Sequence, residues 1–401
     1  MTYHSADTYS SLFNRLELNP PFSAGAAEDG QPPIDFGAGI PDFPVLPTDD
    51  YAASVARLMN GPEAYTALSY SAYPGIRQLR ELIARHRHVP VDNVLITNGA
   101  MNGIYLSVAS LINPGDHIAV ENPTFPFALK IFRQAQAIID PIATDANGID
   151  IDALEQRLAA GERLKILYTI PDFQNPTGSV LAAERKARIA ALAERYGFTI
   201  LSDNPYRDLW FDAEPAEWPQ PLRELERDSP LIEIGSFSKI FGPGWRVGWI
   251  ITDQERIAKL ASFRRSVDGH TSGVSQLALA GLIGRDNGWF DRLLSRERGL
   301  YAGKASALTN ALLAEFGDDI ALRHPQGGYF LWVRFVERFD PALPHNARAL
   351  ADAHVHLVPG DVFYPSDSGT HTARLAFSHL TTESLVEGAR RIAAALKNQT
   401  R

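Results

Sequence analysis

The sequence predicts an α/β protein: a mostly parallel β-sheet covered by helices, followed by a smaller α+β domain at the C-terminus. Between about residues 50 and 285, short apolar segments alternate with amphipathic helical segments, which gives a parallel sheet with both faces covered. Roughly the last hundred residues instead hold a long charged helix, short apolar segments and a final helix. A chain of 401 residues is also too long for one compact core, so two domains are expected.

Six segments in the first part have the length and aliphatic content of buried strands. In chain order they are NVLIT, HIAVE, LKILYTI, FTILSD, LIEIGS and VGWIIT. The segments between them have helical patterns; for example, Ile189, Leu192 and Tyr196 share one face at helical spacing. The uncharged stretch from Asn98 to Gly115 predicts a buried helix rather than a membrane span, because Asn, Gly and Ser interrupt it.

The chain is predicted to divide into three parts. Residues 1–47 are expected to form an N-terminal arm that packs with the small domain, because Pro and Gly are abundant from residue 19 onward. Residues 48–285 are expected to form the large, ligand-binding domain, and residues 286–401 the small C-terminal domain. The expected order in the small domain is the long helix, GGYFLWVRF, HVHLVPG, ARLAFS and the final helix ESLVEGARRIAAALK.

Composition and charge argue against several classes of function. The formal net charge of −9 argues against nucleic acid or an anionic membrane as a partner. The sequence has no Cys, which excludes disulfides, thiolate metal sites and cysteine nucleophiles. His354 and His356 are expected to face one side of a strand, but no third ligand lies near them in the sequence, so no metal site is expected. The N-terminal segment lacks the pattern of a secretory signal, and a cytoplasmic location is expected.

Polar residues follow four of the predicted strands, at the sheet edge where an open parallel sheet binds its ligand. These groups are residues 98–101, residues 171–178, Asp203 with Tyr206, and the segment that contains Ser236, Ser238 and Lys239. Because the carboxyl ends of parallel strands meet at one edge, the groups are expected to converge on one ligand.

The Gly-rich turn at residues 235–248 combines a phosphate-binding composition with a lysine. The hydroxyls of Ser236 and Ser238 and the guanidinium of Arg246 suit a phosphate. Lys239 lies among them, and it can form an imine if burial or cationic neighbours partly deprotonate its amine. Taken alone, Lys239 would be a solvated loop lysine, and its neighbours favour the chemical role.

This turn, SFSKIFGPGWRVGW, resembles the cofactor-lysine motif of class I and II aminotransferases, which are fold-type-I enzymes dependent on pyridoxal 5′-phosphate (PLP). LSYSAYPGIRQLREL, TNGAMNGIYLSVASLINPGDHIAVENPTF, FQNPTG and SDNPYRDL resemble four further motifs of the family, in the family's order. HPQGGYFLWVRF, LVPGDVFY and ARLAFS resemble the C-terminal domain of one subgroup. That subgroup contains α-aminoadipate and kynurenine aminotransferases and the aminotransferase-like half of MocR-type regulators. The resemblance covers nearly the whole chain.

The resemblance implies roles for five residues around the cofactor ring and the substrate. Lys239 would carry PLP as a Schiff base and act as general base, and Asp203 would keep the pyridine nitrogen protonated. Asn175 and Tyr206 would hydrogen-bond the phenolate oxygen of the ring, and Arg374 would grip the substrate α-carboxylate, with Asn175 beside it. Considered singly, Asp203 and Asn175 are also consistent with turn residues, and Arg374 with a surface arginine.

The resemblance also implies a phosphate cup. Many relatives have a polar pair where this chain has Ala-Met, so that backbone amides would replace a hydroxyl contact. The expected phosphate ligands are Ser236, Ser238, Arg246 and the backbone amides of Gly99, Ala100 and Met101.

Three further residues complete the site that the resemblance implies. Phe125 matches the aromatic residue that stacks on the cofactor ring, although a core phenylalanine fits the sequence nearly as well. Gly39 would let the arm pass close over the substrate. Tyr70 would reach the active site of the neighbouring subunit, so a homodimer with shared active sites is expected.

The expected reaction is transamination between an L-amino acid and a 2-oxo acid by a ping-pong mechanism, with 2-oxoglutarate or pyruvate as acceptor. Two alternatives remain. The same scaffold supports PLP-dependent elimination, cyclisation and oxidation. A MocR-type PLP-sensing regulator would require a basic winged helix-turn-helix of about seventy residues ahead of Gly39, where this chain has a short, Pro-rich arm.

The arm predicts the preferred amino donor. Relatives that favour acidic side chains have an arginine in the arm, whereas residues 16–39 of this chain contain neither Arg nor Lys. An acidic side chain there would lose hydration without gaining a partner, so an apolar or aromatic donor is expected. Arg15 is the one nearby cation that could reverse this preference if it reached the pocket. The apolar residues of the arm and its continuation are Leu18, Pro20, Pro21, Phe22, Ile34, Ile40 and Phe43.

Overall fold

The computed structural model describes residues 33–225, 228–286, 288–366 and 369–398. Its strands are β1 (Ile34–Asp35), β2 (Val94–Thr97), β3 (His117–Asn122), β4 (Ile138–Asp145), β5 (Gly148–Ile149), β6 (Ile166–Thr169), β7 (Thr199–Asp203), β8 (Leu231–Ser236), β9 (Gly248–Ile251), β10 (Ile320–Leu322), β11 (Phe330–Phe335), β12 (Val355–His356), β13 (Val358–Pro359) and β14 (Thr372–Ala376). Its helices are α1 (Thr48–Asn60), α2 (Ala64–Leu68), α3 (Arg77–Arg87), α4 (Ala100–Leu111), α5 (Pro126–Gln134), α6 (Ile151–Ala159), α7 (Ala183–Tyr196), α8 (Gln220–Arg223), α9 (Gln254–Arg264), α10 (Gly273–Ile283), α11 (Trp289–Phe316), α12 (Pro344–Asp352) and α13 (Thr382–Asn398).

Eight strands form the large sheet, in the order β2-β9-β8-β7-β6-β3-β4-β5. The consecutive strands β8, β7, β6, β3 and β4 run parallel, whereas β9 and β5 are antiparallel to their neighbours. All six strands predicted for this part of the chain are present, which confirms the mostly parallel α/β class. β4 is not among the six. Pro141 interrupts its sequence, and most of its residues are at least partly exposed, so it lacks the apolar pattern of a buried strand.

The large sheet is covered on both faces because successive strand residues point into two different apolar cores. Ile118 and Val120 of β3 lie in a core that they share with α4, α5 and α9. Ala119, between them, lies in the core that contains α7, α10 and α11. The helix predicted within Asn98–Gly115 is α4, whose N-terminus begins directly after β2.

A second, smaller sheet is antiparallel throughout, in the order β10-β11-β14-β13. The long helix α11 and the final helix α13 pack with it: Leu308, Leu312 and Ile392 share a core with Leu331 and Leu375. β1, at the described end of the arm, pairs in parallel with β12. The arm therefore contacts the C-terminal part of the chain.

His354 and His356 do not share a strand face, contrary to the expectation from the sequence. His354 precedes β12 and has a φ of 53°, whereas His356 Nδ1 lies 2.7 Å from Asp35 Oδ1. Within the described ranges, no three His, Cys, Asp or Glu side chains are grouped so that they could hold a metal ion. No helix in the described part of the chain combines the length and apolarity of a membrane span.

Candidate active site

Lys239 follows β8 at the carboxyl edge of the large sheet, where the arm crosses it. Its Nζ donates a hydrogen bond to the carbonyl oxygen of Gly39 at 2.7 Å. The same Nζ lies 5.5 Å from the ring centre of Tyr206 and 5.9 Å from that of Tyr329. Burial, reinforced by the cations of Arg374 and Arg246, lowers the pKa of Lys239 to about 8, although Asp203 opposes the shift. Lys239 is therefore a partly buried amine that loses its proton more readily than a surface lysine.

Asp203 is the last residue of β7, and its carboxylate is buried. Oδ2 accepts a hydrogen bond from the Tyr168 hydroxyl at 2.8 Å. Oδ1 is buried and has no hydrogen-bond partner among the described residues. Burial raises the pKa of Asp203 to about 6, against the lowering effects of the Tyr168 hydrogen bond and of Lys239. A buried carboxylate oxygen of this kind is costly unless it meets a donor, so the geometry suits a ligand with an N–H group.

Arg374 of β14 spans the gap between the small sheet and the loop after β6. Its Nη1 donates to Asn175 Oδ1 at 2.9 Å, and its Nη2 donates to the Gly37 carbonyl at 2.6 Å. The guanidinium carbon lies 4.2 Å from the ring centre of Phe330 and 5.0 Å from that of Phe363. Burial lowers the pKa of Arg374 to about 10. The guanidinium is buried, so the alternative of a surface arginine is wrong.

Three aromatic side chains and the arm line the space around Lys239. The ring of Tyr206 meets those of Tyr329 and Phe330 edge to face, each with centres 5.6 Å apart. Burial raises the pKa of the Tyr206 hydroxyl above its ordinary value. A Cβ at Gly39 would lie 2.5 Å from Phe330 Cζ, so only glycine lets the arm approach this closely.

The turn between β2 and α4 meets the turn before β9, as a phosphate cup requires. Arg246 Nη2 donates to the carbonyl of Asn98 at 2.9 Å. A Cβ at Gly99, where φ is +82°, would lie 2.9 Å from the same nitrogen. A Cβ at Gly248 would lie 2.9 Å from the backbone nitrogen of Ala100. Both glycines are needed because backbone and guanidinium approach here too closely for a side chain.

The other predicted phosphate ligands lie close to this turn in the sequence and the fold. The Ser238 amide donates to Ser236 Oγ at 3.1 Å. Ala100 and Met101 are the first residues of α4. The first amides of an α-helix have no intrahelical partner, and the N-cap residue of α4, Gly99, makes no side-chain hydrogen bond to them. Phe125 immediately precedes α5 and packs against the same apolar core as Ala100 and Met101.

Tyr70 is the predicted site residue that stays apart from the others. Its side chain is 96% exposed, and its ring centre lies 5.8 Å from that of His270. Arg15, Leu18, Pro20, Pro21 and Phe22 lie outside the described residues. The remaining apolar residues of the arm are Ile34, which is buried, Ile40, which is 43% exposed, and Phe43, which is 71% exposed.

Two sets of buried polar contacts, which the sequence did not predict, support the residues of the site. Glu121, at the end of β3, accepts hydrogen bonds from the Thr169 hydroxyl at 2.5 Å and from Gln174 Nε2 at 3.1 Å. Burial raises the pKa of Glu121 to about 7. Tyr168, in the neighbouring strand β6, donates its hydroxyl to one oxygen of Asp203. Neither Tyr168 nor Glu121 stands out in the sequence, because each lies inside an otherwise apolar strand. The one nearby signal is the Gln-Asn-Pro-Thr-Gly turn that comes after β6.

The second set of contacts is a buried ion cluster around Asp172. Its carboxylate accepts from Lys186 Nζ at 2.9 Å, from Arg207 Nη1 at 2.7 Å and from Asn204 Nδ2 at 2.8 Å. Lys186 belongs to α7, whereas Arg207 and Asn204 flank Tyr206 in the turn after β7. The cluster thus ties the loop that carries Asn175 to the turn that carries Tyr206.

Comparison with known proteins adds a family match over most of the chain. A family model described as aminotransferase class I and II matches residues 32–392. Aromatic-amino-acid aminotransferase 1 of Thermococcus litoralis is 32% identical over 376 residues, which cover 91% of this chain and 88% of that protein. The crystal structure of an α-aminoadipate aminotransferase from Thermus thermophilus, complexed with N-(5′-phosphopyridoxyl)-L-leucine, is 30% identical. It has a TM-score of 0.84 and covers 91% of this chain and 92% of that one.

A second solved structure covers both chains more fully. Kynurenine aminotransferase of Pyrococcus horikoshii, in complex with PMP, is 26% identical with a TM-score of 0.87, over 98% of this chain and 98% of that one. The likeness therefore includes the described arm, both sheets and the residues at their junction.

Proposed function

The chain belongs to the class I and II aminotransferase family, and we propose how its residues bind PLP and which substrates they favour. It is a PLP-dependent aminotransferase of fold type I that moves an amino group from an amino acid to a 2-oxo acid. The observation that carries the residue assignments is the meeting of Lys239, Asp203, Asn175 and Arg374 between the two sheets.

The residues present fit PLP. Asp203 Oδ1, buried and without a partner among the described residues, suits the ring N–H, and Tyr168 holds the other oxygen in place. Asn175 and Tyr206 suit the phenolate oxygen, and Phe125 suits a face of the ring. Ser236, Ser238 and Arg246, with the backbone amides of Gly99, Ala100 and Met101, would hold the phosphate. When bound, PLP supplies a protonated ring that takes up the electron pair left at the substrate Cα.

Lys239 holds and moves the proton at the substrate Cα. Its lowered pKa, about 8, makes the neutral amine available near neutral pH, and a neutral amine is both the nucleophile and the base. The Gly39 carbonyl, 2.7 Å from Nζ, fixes the direction of the amine and keeps it under the arm. Tyr329 and Phe330, both buried, pack against the Tyr206 ring beside this amine.

Arg374 orients the substrate through its α-carboxylate. The guanidinium is held by Asn175 and by the Gly37 carbonyl, and its planar fork can offer two parallel N–H groups to a carboxylate. Its fixed position against Phe330 would place the Cα hydrogen within reach of Lys239. Arg374 is thus the proposed substrate-binding residue, with Asn175 and Gly39 beside it.

A homodimer with shared active sites is part of the proposal. Tyr70 is 96% exposed and stands among Tyr65, Leu68 and Tyr73, which are also exposed, so this face of the chain offers an apolar surface for a second copy. Tyr70 would then reach the phosphate of the neighbouring site. The boundaries 1–47, 48–285 and 286–401 are likewise proposed, on the basis of the two separate sheets. A cytoplasmic location stays a prediction.

We propose an apolar or aromatic L-amino acid as the preferred donor. Ile40 and Phe43 continue the arm directly beyond Gly39 and are exposed, while no Arg or Lys occurs between residues 16 and 39. The test is kcat/KM for phenylalanine, leucine, glutamate and 2-aminoadipate with one 2-oxo acid. The apolar substrates should exceed the acidic ones about tenfold. A clear preference for glutamate or 2-aminoadipate would contradict the proposal, and an Arg15→Ala variant would show whether Arg15 causes it.

A further inference from the structure

Arg264, at the end of α9, is fully buried and makes use of every N–H group it has. A guanidinium has five N–H donors in a fixed plane. Nε and Nη2 donate to the Asp268 carboxylate at 2.9 and 3.1 Å, and Nη2 also donates to Thr271 Oγ1 at 3.3 Å. Nη1 donates to the Tyr73 carbonyl at 3.4 Å and to the Ile96 carbonyl. Five donors meet five acceptors, so this site is built for an arginine.

Asp268 connects this arginine to the phosphate turn, which is the pair Asn98 and Gly99 between β2 and α4. Its Oδ2 accepts from Asn98 Nδ2 at 2.9 Å, in addition to the bonds from Arg264. Asn98 directly precedes Gly99, and its carbonyl accepts from Arg246 Nη2 at 2.9 Å. The pair of Arg264 and Asp268 therefore fixes both the end of β2, through Ile96, and the turn that follows it.

The same pair also fixes the segment that carries Tyr70. Arg264 holds the carbonyl of Tyr73, and the Ile96 amide donates to the carbonyl of the next residue, Pro74, at 2.9 Å. On the other side, His270 lies two residues after Asp268, and its ring meets that of Tyr70 edge to face, with centres 5.8 Å apart. Tyr70 is exposed but rests on two segments that Arg264 and Asp268 hold.

We propose that Arg264 and Asp268 are positioning residues for the cofactor phosphate in both subunits of the dimer: they set the phosphate turn of their own subunit and present Tyr70 to the partner. This inference rests on the proposed homodimer. Neither residue touches the phosphate. They act through Asn98 on one side and through residues 70–73 on the other. A rigid shared support matters because each phosphate would be held by groups from two chains, and an error in either segment would misplace a donor.

The effect within one subunit is tested by PLP affinity of the apo-protein. Asp268→Asn replaces one of the two acceptor oxygens with an NH2 donor, so the bonds from Asn98 and from both nitrogens of Arg264 cannot all be kept, and Arg264 loses its anion. Asn98→Ala leaves the ion pair intact and removes only the link to the turn, so it remains informative if Asp268→Asn fails to fold. Both should raise the Kd for PLP about tenfold or more. The control is Glu255→Gln, which breaks the exposed pair of Glu255 with Lys259 on the same helix, 2.7 Å apart, and should leave the Kd within about twofold.

The effect on the partner is tested in mixed dimers that have one competent lysine. Wild-type subunits are paired with Lys239→Ala subunits or with Lys239→Ala/Asp268→Asn subunits, and borohydride reduction fixes the cofactor to the remaining Lys239 at a series of PLP concentrations. The second dimer should need about tenfold more PLP, because the altered Asp268 lies in the chain that donates Tyr70.

Unchanged PLP affinity in both Asn98→Ala and Asp268→Asn would overturn the role in the own subunit. Equal PLP requirements in the two mixed dimers would overturn the role in the partner. If the wild-type protein forms no dimer, the proposed homodimer itself fails, and sedimentation of the wild-type protein distinguishes that result from the other two.

Discussion

At the scale of single residues, the chemistry depends on charged groups that burial has moved away from their ordinary pKa values. Burial favours the neutral form of Lys239, and the neighbouring Arg374 cation adds to this effect. The same burial raises the pKa of Asp203 to about 6. A ring N–H beside Asp203 Oδ1 would give that carboxylate the donor it lacks in the described structure, and would favour its charged form. Cofactor and carboxylate therefore stabilise each other.

The first prediction concerns the side-chain amine of Lys239. Apo-protein should attach PLP covalently at a rate that rises with pH through about 8 and then levels off, because only the neutral amine attacks the aldehyde. Arg374→Gln should move this midpoint upward, since it removes a neighbouring cation. The rate is followed by absorbance after rapid mixing. A midpoint near 10.5, the ordinary value for lysine, would contradict the prediction.

Replacement of the lysine completes this test. Lys239→Ala should abolish both turnover and the cofactor adduct that borohydride fixes, as measured by mass spectrometry. Lys259→Ala, which removes an exposed lysine, is the matched control. An adduct that persists in Lys239→Ala would mean that another lysine carries the cofactor.

The second prediction separates Asp203 from Arg374 by steady-state kinetics. Asp203→Asn removes the anion opposite the ring nitrogen, so kcat should fall roughly 100-fold while KM changes little. Arg374→Gln removes the fork that grips the carboxylate, so KM should rise at least about tenfold, and kcat should fall as well if orientation is lost. Equal, small effects from both substitutions would place neither residue in the active site.

At the scale of elements, the arm is held over the site by contacts on both of its sides. The Ser378 hydroxyl donates to the Ile40 carbonyl at 2.6 Å, and Lys304 Nζ of α11 donates to Asp42 Oδ2 at 2.7 Å. Between these contacts and β1, Gly39 fits against the Phe330 ring. The arm, β11, β14 and α11 thus form one wall of the site, opposite the loops of the large sheet.

The third prediction tests this fit. In Gly39→Ala, the new methyl group would overlap the Phe330 ring, so the arm or the ring must shift and kcat/KM should fall about tenfold. Phe330→Leu removes the overlapping ring atoms, so the double variant should lose less than the sum of the two single losses. Gly303→Ala, on α11 where an added Cβ meets no atom within 4 Å, is the control. Strict additivity of the two losses would show that the methyl group acts elsewhere.

At the scale of the whole molecule, one chain supplies two different halves of the proposed site. Lys239 feels the charges of both Asp203 and Arg374 where the two sheets approach each other, whereas Tyr70 stands on an exposed face. In a symmetric dimer, each site would combine the first set from one chain with Tyr70 from the other. Arg264 bonds both to the segment that carries Tyr70 and to the end of β2, and would therefore fix the position of Tyr70 relative to the rest of the site.

The fourth prediction uses the supply of Lys239 and Tyr70 to one site by two different chains. Lys239→Ala and Tyr70→Phe homodimers should each have low activity, but a mixture that exchanges subunits should regain it. In a mixed dimer, one site has an intact lysine and receives an intact Tyr70 from the other chain. Random exchange should restore about a quarter of the wild-type activity, because half of the dimers are mixed and each has one working site. Activity that stays at the average of the two parents would rule out sharing of Tyr70.

Much of the fold was predictable because its signals are local. Six of the eight strands in the large sheet are short apolar segments that are buried on both faces, and such segments stand out in any sequence. β4 was not predictable in this way, because Pro141 and its exposed neighbours hide it, and its place is decided by pairing with β3 and β5. The His354–His356 pattern was misleading, since the backbone at His354 adopts a positive φ just before the strand.

The sequence by itself determined the family and the residue types of the site, because motifs such as the lysine turn keep reactive and phosphate-binding groups at short, fixed spacing. Only the tertiary structure decided what surrounds them: the Asp203 oxygen that has no partner among the described residues, the hydrogen bond from Arg374 to Asn175, and the five bonds of Arg264. The physical reason is distance along the chain. Asn175 and Arg374 are 199 positions apart, and Arg264 and Ile96 are 168 apart. Contacts of that kind exist only once the sheets and helices have packed.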